Sequence, residues 1–140
     1  MEESQPVRKI LVADDEEVTR DLFKRLIPRL GHEIYTASNG QEALEMIREN
    51  NFDLLIMDLK MPVMDGMELL DRIHQLGKEI PTVVITGYAT MEITKQALEA
   101  GCIDLVIKPF SLEDIQRAIK KALRYPKNKD KRSPQFKSPT

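Results

Sequence analysis

Four short stretches of the chain carry residues that could do chemistry together: Asp14-Asp15, Asp58, Thr86 and Lys108-Pro109. Each directly follows an apolar or β-branched run, namely Ile10-Leu11-Val12-Ala13, Leu54-Leu55-Ile56-Met57, Thr82-Val83-Val84-Ile85 and Ile103-Asp104-Leu105-Val106-Ile107. Singly, each has an ordinary use: Asp14 or Asp15 can cap a helix, Asp58 can be a loop carboxylate, Thr86 a strand residue and Lys108 a surface lysine. Together they crowd three carboxylates into one cleft, where two about 4 Å apart repel by roughly 4 kcal/mol at an effective dielectric near 20. A cation must offset them. An all-oxygen donor set with no His or Cys nearby in sequence suits Mg²⁺ rather than Zn²⁺. A carboxylate beside Mg²⁺, a lysine and a hydroxyl can accept a phosphoryl group. Asp58 would attack, the metal and Lys108 would neutralise the equatorial oxygens, and Thr86 would hydrogen-bond the product phosphate.

For these residues to meet, the runs must be strands of one parallel sheet. The first, third and fourth runs are nearly unbroken in hydrophobicity, as strands covered on both faces would be. The second, Ile34-Tyr35-Thr36-Ala37, and the fifth are more polar and read as edges. Between them lie helical spacings: Val18, Leu22, Leu26, Leu30; Ala43, Leu44, Ile47; Leu69, Ile73, Leu76; and Leu112, Ile115, Ile119, Leu123. Thr90 to Ala100 has only a thin stripe of Ile93, Ala97 and Leu98, which predicts the least firmly docked helix. Asn39 with Glu42, Asp65 with Glu68 and Ser111 with Asp114 are helix-start signals, and Pro28 predicts strain in the last turn of the first helix. The alternation predicts an α/β fold: a doubly wound, flavodoxin-like, five-stranded parallel sheet with five flanking helices. In strand order 2-1-3-4-5 the four chemically equipped tips are contiguous. The second run, ending in Ala37-Ser38, carries no such group and is the one excluded.

With 140 residues, 41% hydrophobic and 31% charged, the chain has the material for one domain and one core. Its net charge of −2 divides unevenly: residues 125–140 carry +4 and residues 1–124 carry −6. That basic segment contains Pro126, Pro134 and Pro139 and only Phe136 as an aromatic, so it reads as a solvated, flexible tail and direct nucleic-acid binding is not expected. The expected division is an N-terminal extension over 1–6, a folded domain over 7–124 and the tail over 125–140. Met1-Glu2-Glu3-Ser4-Gln5 is no secretory leader and no apolar run has the length of a membrane span, so a cytoplasmic protein without membrane insertion is expected. Cys102 reads as a small buried hydrophobe, His32 and His74 as solvated, and Met46, Met57, Met61, Met64 and Met67 as packing.

Ile10 to Glu16, Met57 to Gly66 (Met-Asp-Leu-Lys-Met-Pro-Val-Met-Asp-Gly), Thr86-Gly87 and Lys108-Pro109-Phe110 together resemble the receiver domain of bacterial two-component response regulators, over residues 7–124. The resemblance implies a phosphorelay protein in which Asp58 becomes 4-aspartylphosphate, taking the group from a phosphohistidine of a sensor histidine kinase or a histidine phosphotransfer protein. It implies that Asp15 and Asp58 bind Mg²⁺ directly, Asp14 largely through water, and that the Lys60 backbone carbonyl is a further ligand. Lys108 would contact the phosphate, the bond to Pro109 would be cis, Gly87 would allow close backbone approach, and Gly66 would serve the turn into the third helix. By the same resemblance, Lys60 and Tyr88 would occupy the two variable positions that in that family tune acyl-phosphate hydrolysis. Leu105 departs from the aromatic residue common at its position, which alters the usual switch. A face made by the fourth helix, fifth strand and fifth helix would bind a downstream protein or a second copy.

The chain is therefore expected to be a phospho-acceptor and not a turnover enzyme. A haloacid dehalogenase type of phosphatase also uses an Asp nucleophile, but it wants a carboxylate two residues later, where this chain has Lys60. The length predicts a stand-alone receiver whose output is another molecule.

Overall fold

A computed structural model describes residues 6–125, so the expected extension and tail lie outside the described residues apart from Pro6 and Tyr125. Strands and helices alternate: β1 Lys9–Ala13, α1 Glu17–Arg29, β2 Glu33–Ala37, α2 Gly40–Glu49, β3 Leu54–Asp58, α3 Gly66–Gln75, β4 Thr82–Thr86, α4 Met91–Glu99, β5 Asp104–Ile107 and α5 Leu112–Leu123. All neighbouring strands are parallel, in the order β2-β1-β3-β4-β5. The polar second and fifth runs are the edges.

Side chains alternate across a strand, so the sheet feeds two cores. Leu11, Ala13, Leu55, Met57 and Val84 pack in one layer with Leu44 and Ile47 of α2 and Leu69 and Ile73 of α3. Ile10, Val12, Leu54, Ile56, Val83 and Ile85 face the other layer, with Phe23 and Ile27 of α1 and Ile115 and Ile119 of α5. Every residue of β3 and β4 is buried. Met57, Met61 and Met64 are buried and Met46 and Met67 pack against them, while Cys102 sits in the same layer as a buried thiol.

Asn39, Asp65 and Ser111 each accept a hydrogen bond from the backbone N–H three residues on, and Ser111 with Asp114 completes a reciprocal capping box. Thr90 caps α4 in the same way. That helix buries only Ala97, in keeping with its thin apolar stripe.

Two expectations need correction, the apolar stripe of α1 and the solvated His32. The inner face of α1 is formed by Thr19, Phe23, Leu26 and Ile27, whereas Val18 is 82% exposed. A step of four residues overshoots one helical turn by about 40°, so a stripe drawn only at that spacing winds off the buried face. Pro28 stays inside α1, and Lys24, whose carbonyl loses its N–H partner there, is exposed to water. His32 is half-buried, not simply solvated: its Nδ1 accepts the Arg8 backbone N–H at 3.1 Å.

Two outcomes follow from this packing. A Cβ at Gly40 would overlap the Met64 backbone carbonyl, so Gly40→Ala is expected to destabilise the fold by about 1–3 kcal/mol in urea unfolding. Burial, aided by the Arg8 charge and opposed by Asp53, holds the His32 pKa below its ordinary value. The unfolded chain then binds more protons than the folded one as pH falls, so stability present above about pH 6.5 is lost below it. Unfolding measured from pH 7.5 down to pH 5 is expected to show a shallower decline in His32→Gln than in the wild type.

Candidate functional site

Register brings the predicted residues to one edge. Ala13 pairs with Met57, so Asp14 and Asp58 emerge side by side, and Thr86 pairs with Ile107, so Lys108 follows next to it. Asp14 is fully buried and tied at four points: its N–H donates to Ala37 O at 3.1 Å, its carbonyl accepts from Arg20 Nη1 at 2.8 Å, Oδ1 accepts from Glu16 N at 2.9 Å and Oδ2 from Lys108 Nζ at 3.0 Å. Asp58 closes β3, its Oδ1 accepting from Lys60 N at 3.1 Å and its Oδ2 from Lys108 Nζ at 2.9 Å. Lys108 Nζ also reaches Glu16 Oε1 at 2.8 Å, and the Lys108 backbone N–H donates to Thr86 O at 2.8 Å. The Lys108–Pro109 peptide is cis.

Asp15 is exposed beside this cluster, and one carboxylate oxygen from each of Asp14, Asp15 and Asp58 lies within 4.8 Å of the others. An open cleft of about 430 Å³ adjoins Asp15 and is lined by Leu59, Lys60, Met61, Pro62 and Asp65 as well. Thr86 is buried and its Oγ1 accepts the Tyr88 N–H at 3.0 Å, which leaves the hydroxyl proton for another acceptor. A Cβ at Gly87 would meet no protein atom within 4 Å. Lys60 Nζ stands 4.3 Å from the Tyr88 ring centroid, a cation–π contact joining the loops after β3 and β4. Leu105, half-buried on β5, packs against the layer that holds Val84 and Ala97.

Gly66 opens α3, where the turn into the third helix was expected, and it does so through its missing Cβ. It is absent from the positive-φ glycines. A Cβ there would lie 2.8 Å from Asp58 O and 2.9 Å from Leu59 Cα, so its role is to let α3 start hard against the end of β3. The turn between them instead puts Val63 at φ 70°, unusual for a β-branched residue.

Burial is the largest influence on Asp14 and raises its pKa, with the Glu16 N–H and Lys108 pulling the other way. Burial would lower the Lys108 pKa, but hydrogen bonds to Glu16, Asp58 and Asp14 overcome it and hold the ammonium above its ordinary value. Lys108 in turn holds the Glu16 carboxyl below the usual range. One ammonium therefore faces four carboxylates counting Asp15. Hard oxygen donors, an uncompensated negative charge and an exposed approach at Asp15 fit a divalent cation such as Mg²⁺.

Glu16 and Arg20 belong to the site although neither was singled out for a role. Three consecutive acids at a strand tip were a signal for Glu16. For Arg20, whose partner is a backbone carbonyl, there was none.

Residues 10–120 match the family described as response regulator receiver domain. The chain is 34% identical over 125 residues to the transcriptional regulatory protein ZraR of Escherichia coli, across 89% of this chain and 28% of that protein. It is 32% identical over 115 residues to sporulation initiation phosphotransferase F of Bacillus subtilis, across 82% of this chain and 93% of that protein. It thus spans about a quarter of the first relative and nearly all of the second. A CheY-like receiver domain protein from Methanospirillum hungatei has a similar solved structure, with a TM-score of 0.79 at 32% identity over 85% of this chain and 95% of that one.

The charge imbalance has a direct consequence. Asp58→Asn is expected to raise the melting temperature in Mg²⁺-free buffer, by about 1 kcal/mol or roughly 4 °C for a domain of this size. Thermal unfolding with and without Mg²⁺ checks this, and the advantage is expected to shrink when the ion is present.

Proposed function

The chain belongs to the response regulator receiver domain family of two-component systems, and from that premise we propose that Asp58 accepts a phosphoryl group from a phosphohistidine of a sensor histidine kinase or histidine phosphotransfer protein. The observation that carries this reading is the placement of Asp58, with one oxygen held by the Lys60 N–H and the other by Lys108 Nζ, among acids close enough to share a cation.

In the transfer, an Asp58 carboxylate oxygen forms a bond to phosphorus as the bond from phosphorus to the donor imidazole nitrogen breaks, and the imidazole leaves with that electron pair. Asp15 and Asp58 would hold Mg²⁺ directly, Asp14 largely through water, and the Lys60 backbone carbonyl would complete the protein's share. Bound there, the ion supplies positive charge to the equatorial phosphoryl oxygens. Lys108 places its ammonium beside the same oxygens, Thr86 offers its free hydroxyl proton to the product, and Gly87 leaves the approach open. Lys60 and Tyr88, in contact across the mouth, govern how water reaches the acyl phosphate. The protein is a phospho-acceptor that assists its own phosphorylation and dephosphorylation rather than a turnover enzyme.

Residues 7–124 form the functional unit. Met91, Leu98, Ile107 and Leu112 are exposed apolar side chains on α4, β5 and α5, and this face suits a downstream protein or a second copy. The coupling from Thr86 to that face runs past Leu105, an aliphatic residue. No helix of the described residues is long and apolar enough to cross a membrane, and a cytoplasmic location fits the reading. The phosphatase alternative finds no support, since Lys60 stands where its general acid would be.

Incubation with Mg²⁺ and acetyl phosphate is expected to label the protein on Asp58 and to leave Asp58→Asn unlabelled, read by intact mass. Mg²⁺ is also expected to raise the melting temperature, by about 2.7 kcal/mol of stability at one hundred times its dissociation constant. Asp15→Asn is expected to lose most of that rise, and an unchanged Mg²⁺ response would remove Asp15 from the ligand set.

A further inference from the structure

We propose that Glu16 is a positioning residue: it holds the Lys108 ammonium in the resting protein and is the contact given up when Lys108 turns to the phosphoryl group arriving at Asp58. This rests on the reading of Asp58 as phospho-acceptor and assigns a role to an acid outside its ligand set.

A lysine ammonium has three N–H donors. In this structure all three are taken, by Asp14 Oδ2 at 3.0 Å, Asp58 Oδ2 at 2.9 Å and Glu16 Oε1 at 2.8 Å. Lys108 can therefore contact a phosphoryl oxygen only by releasing one partner. Until the bond from Asp58 to phosphorus forms, Asp14 and Asp58 are both carboxylates, with side chains 0% and 9% exposed, so a bond given up at either to an incoming phosphoryl group leaves a buried charge without a replacement. The Glu16 side chain is 61% exposed, and water takes the place of the lost bond. Release is least costly at Glu16.

A second, independent observation concerns α1. Glu16 is its N-cap, with extended backbone at φ −88° and ψ 120°, yet it makes no side-chain cap hydrogen bond. Asn39, Asp65, Thr90 and Ser111 all cap their helices with short side chains. Short acceptors are preferred at this position because they fold back onto the first-turn N–H groups. Glu16 instead points its carboxylate at a lysine 92 residues away, with Thr19 Oγ1 donating to the same oxygen at 3.3 Å. The helix forgoes a cap, and Lys108 gains a third, exchangeable anchor. A local capping preference given up for a contact 92 residues away is what a functional position requires.

The test compares the wild type with Glu16→Gln, Glu16→Asp and Glu17→Gln. Glu17→Gln removes a neighbouring exposed charge that does not touch Lys108. Each is labelled with acetyl phosphate in Mg²⁺ at limiting donor; a bond from an Asp58 oxygen to phosphorus forms as the bond from phosphorus to the acetate oxygen breaks, and acetate leaves with the electron pair. Glu16→Gln loses the charge and Glu16→Asp keeps it but falls short of Lys108. Both are expected to label two- to fivefold faster, roughly the range for a partly exposed ion pair, with half-saturation by Mg²⁺ moving less than the labelling rate. Glu17→Gln is expected to label at the wild-type rate. Glu16→Asp is also expected to melt no lower than the wild type, because it restores a preferred cap, a result that a merely structural role for Glu16 would reverse. Wild-type rates in either Glu16 variant, an equal gain in Glu17→Gln, or a lower melting temperature in Glu16→Asp overturn the proposal and leave Asp58 as acceptor. Absence of label in the wild type overturns the Asp58 reading itself, and the role of Glu16 falls with it.

Discussion

One ammonium surrounded by acids is the constraint around which this structure is arranged. Lys108 reaches Asp14, Glu16 and Asp58, all within 3.0 Å, and Asp15 adds a further charge that it does not touch. At the rim of a sheet whose central strands are fully buried, water screens these charges poorly, so attraction and repulsion are both stronger than on an open surface. Asp14 shows the balance most clearly. Burial raises its pKa even though a lysine is bonded to it, and four hydrogen-bonding contacts keep it where desolvation alone would disfavour it. A dication matched to three carboxylate oxygens is the simplest way to relieve the rest.

Holding that cluster in register requires a stiff edge, and the two core layers supply it. Parallel pairing fixes which residues stand beside one another at the strand ends, because a slip of one position would turn each side chain to the opposite face. The loops are fixed by close packing. Gly66 lets α3 begin against the Asp58 carbonyl, and Gly40 lets α2 begin against Met64. β3 and the loop after it are thus clamped by two helix starts, and the unfavourable φ of Val63 is tolerated inside that clamp.

Much of this was legible from local pattern. Apolar runs ending in Asp14-Asp15, Asp58, Thr86 and Lys108 define both the strands and their tips, since a strand and its following residue are adjacent in the chain. Asn39, Asp65 and Ser111 were readable for the same reason, as caps act within one turn. Features set by distant pairs were not. The His32 bond to Arg8 spans 24 residues, and that from Lys108 to Glu16 spans 92. The contact of Lys60 with Tyr88 and the Arg20 bond to the Asp14 carbonyl depend on where loops and helices meet in space, and residue type alone does not specify that. Gly66 was placed at the start of α3 by its position in the chain, and only the packed structure shows that the needed property is the missing Cβ.

The weakest element lies beside the strongest electrostatics. β4 delivers Thr86 to the acidic cluster and then passes through Gly87, Tyr88 and Ala89 into α4, which buries only Ala97 and leaves Met91 and Leu98 exposed. Segments with few buried contacts open at lower free energy than the core that carries them. A shift of Thr86 or of the loop after it can therefore be taken up by α4 without disturbing Val83 to Ile85, which remain paired on both sides. Leu105 on the neighbouring strand keeps the space behind β4 filled by an aliphatic side chain that needs no hydrogen-bond partner when its surroundings move. The acidic cluster and the outer face of α4 are thus joined by the four residues Gly87 to Thr90. The sheet is rigid and α4 loosely docked, so movement near the cluster is taken up on the α4 side.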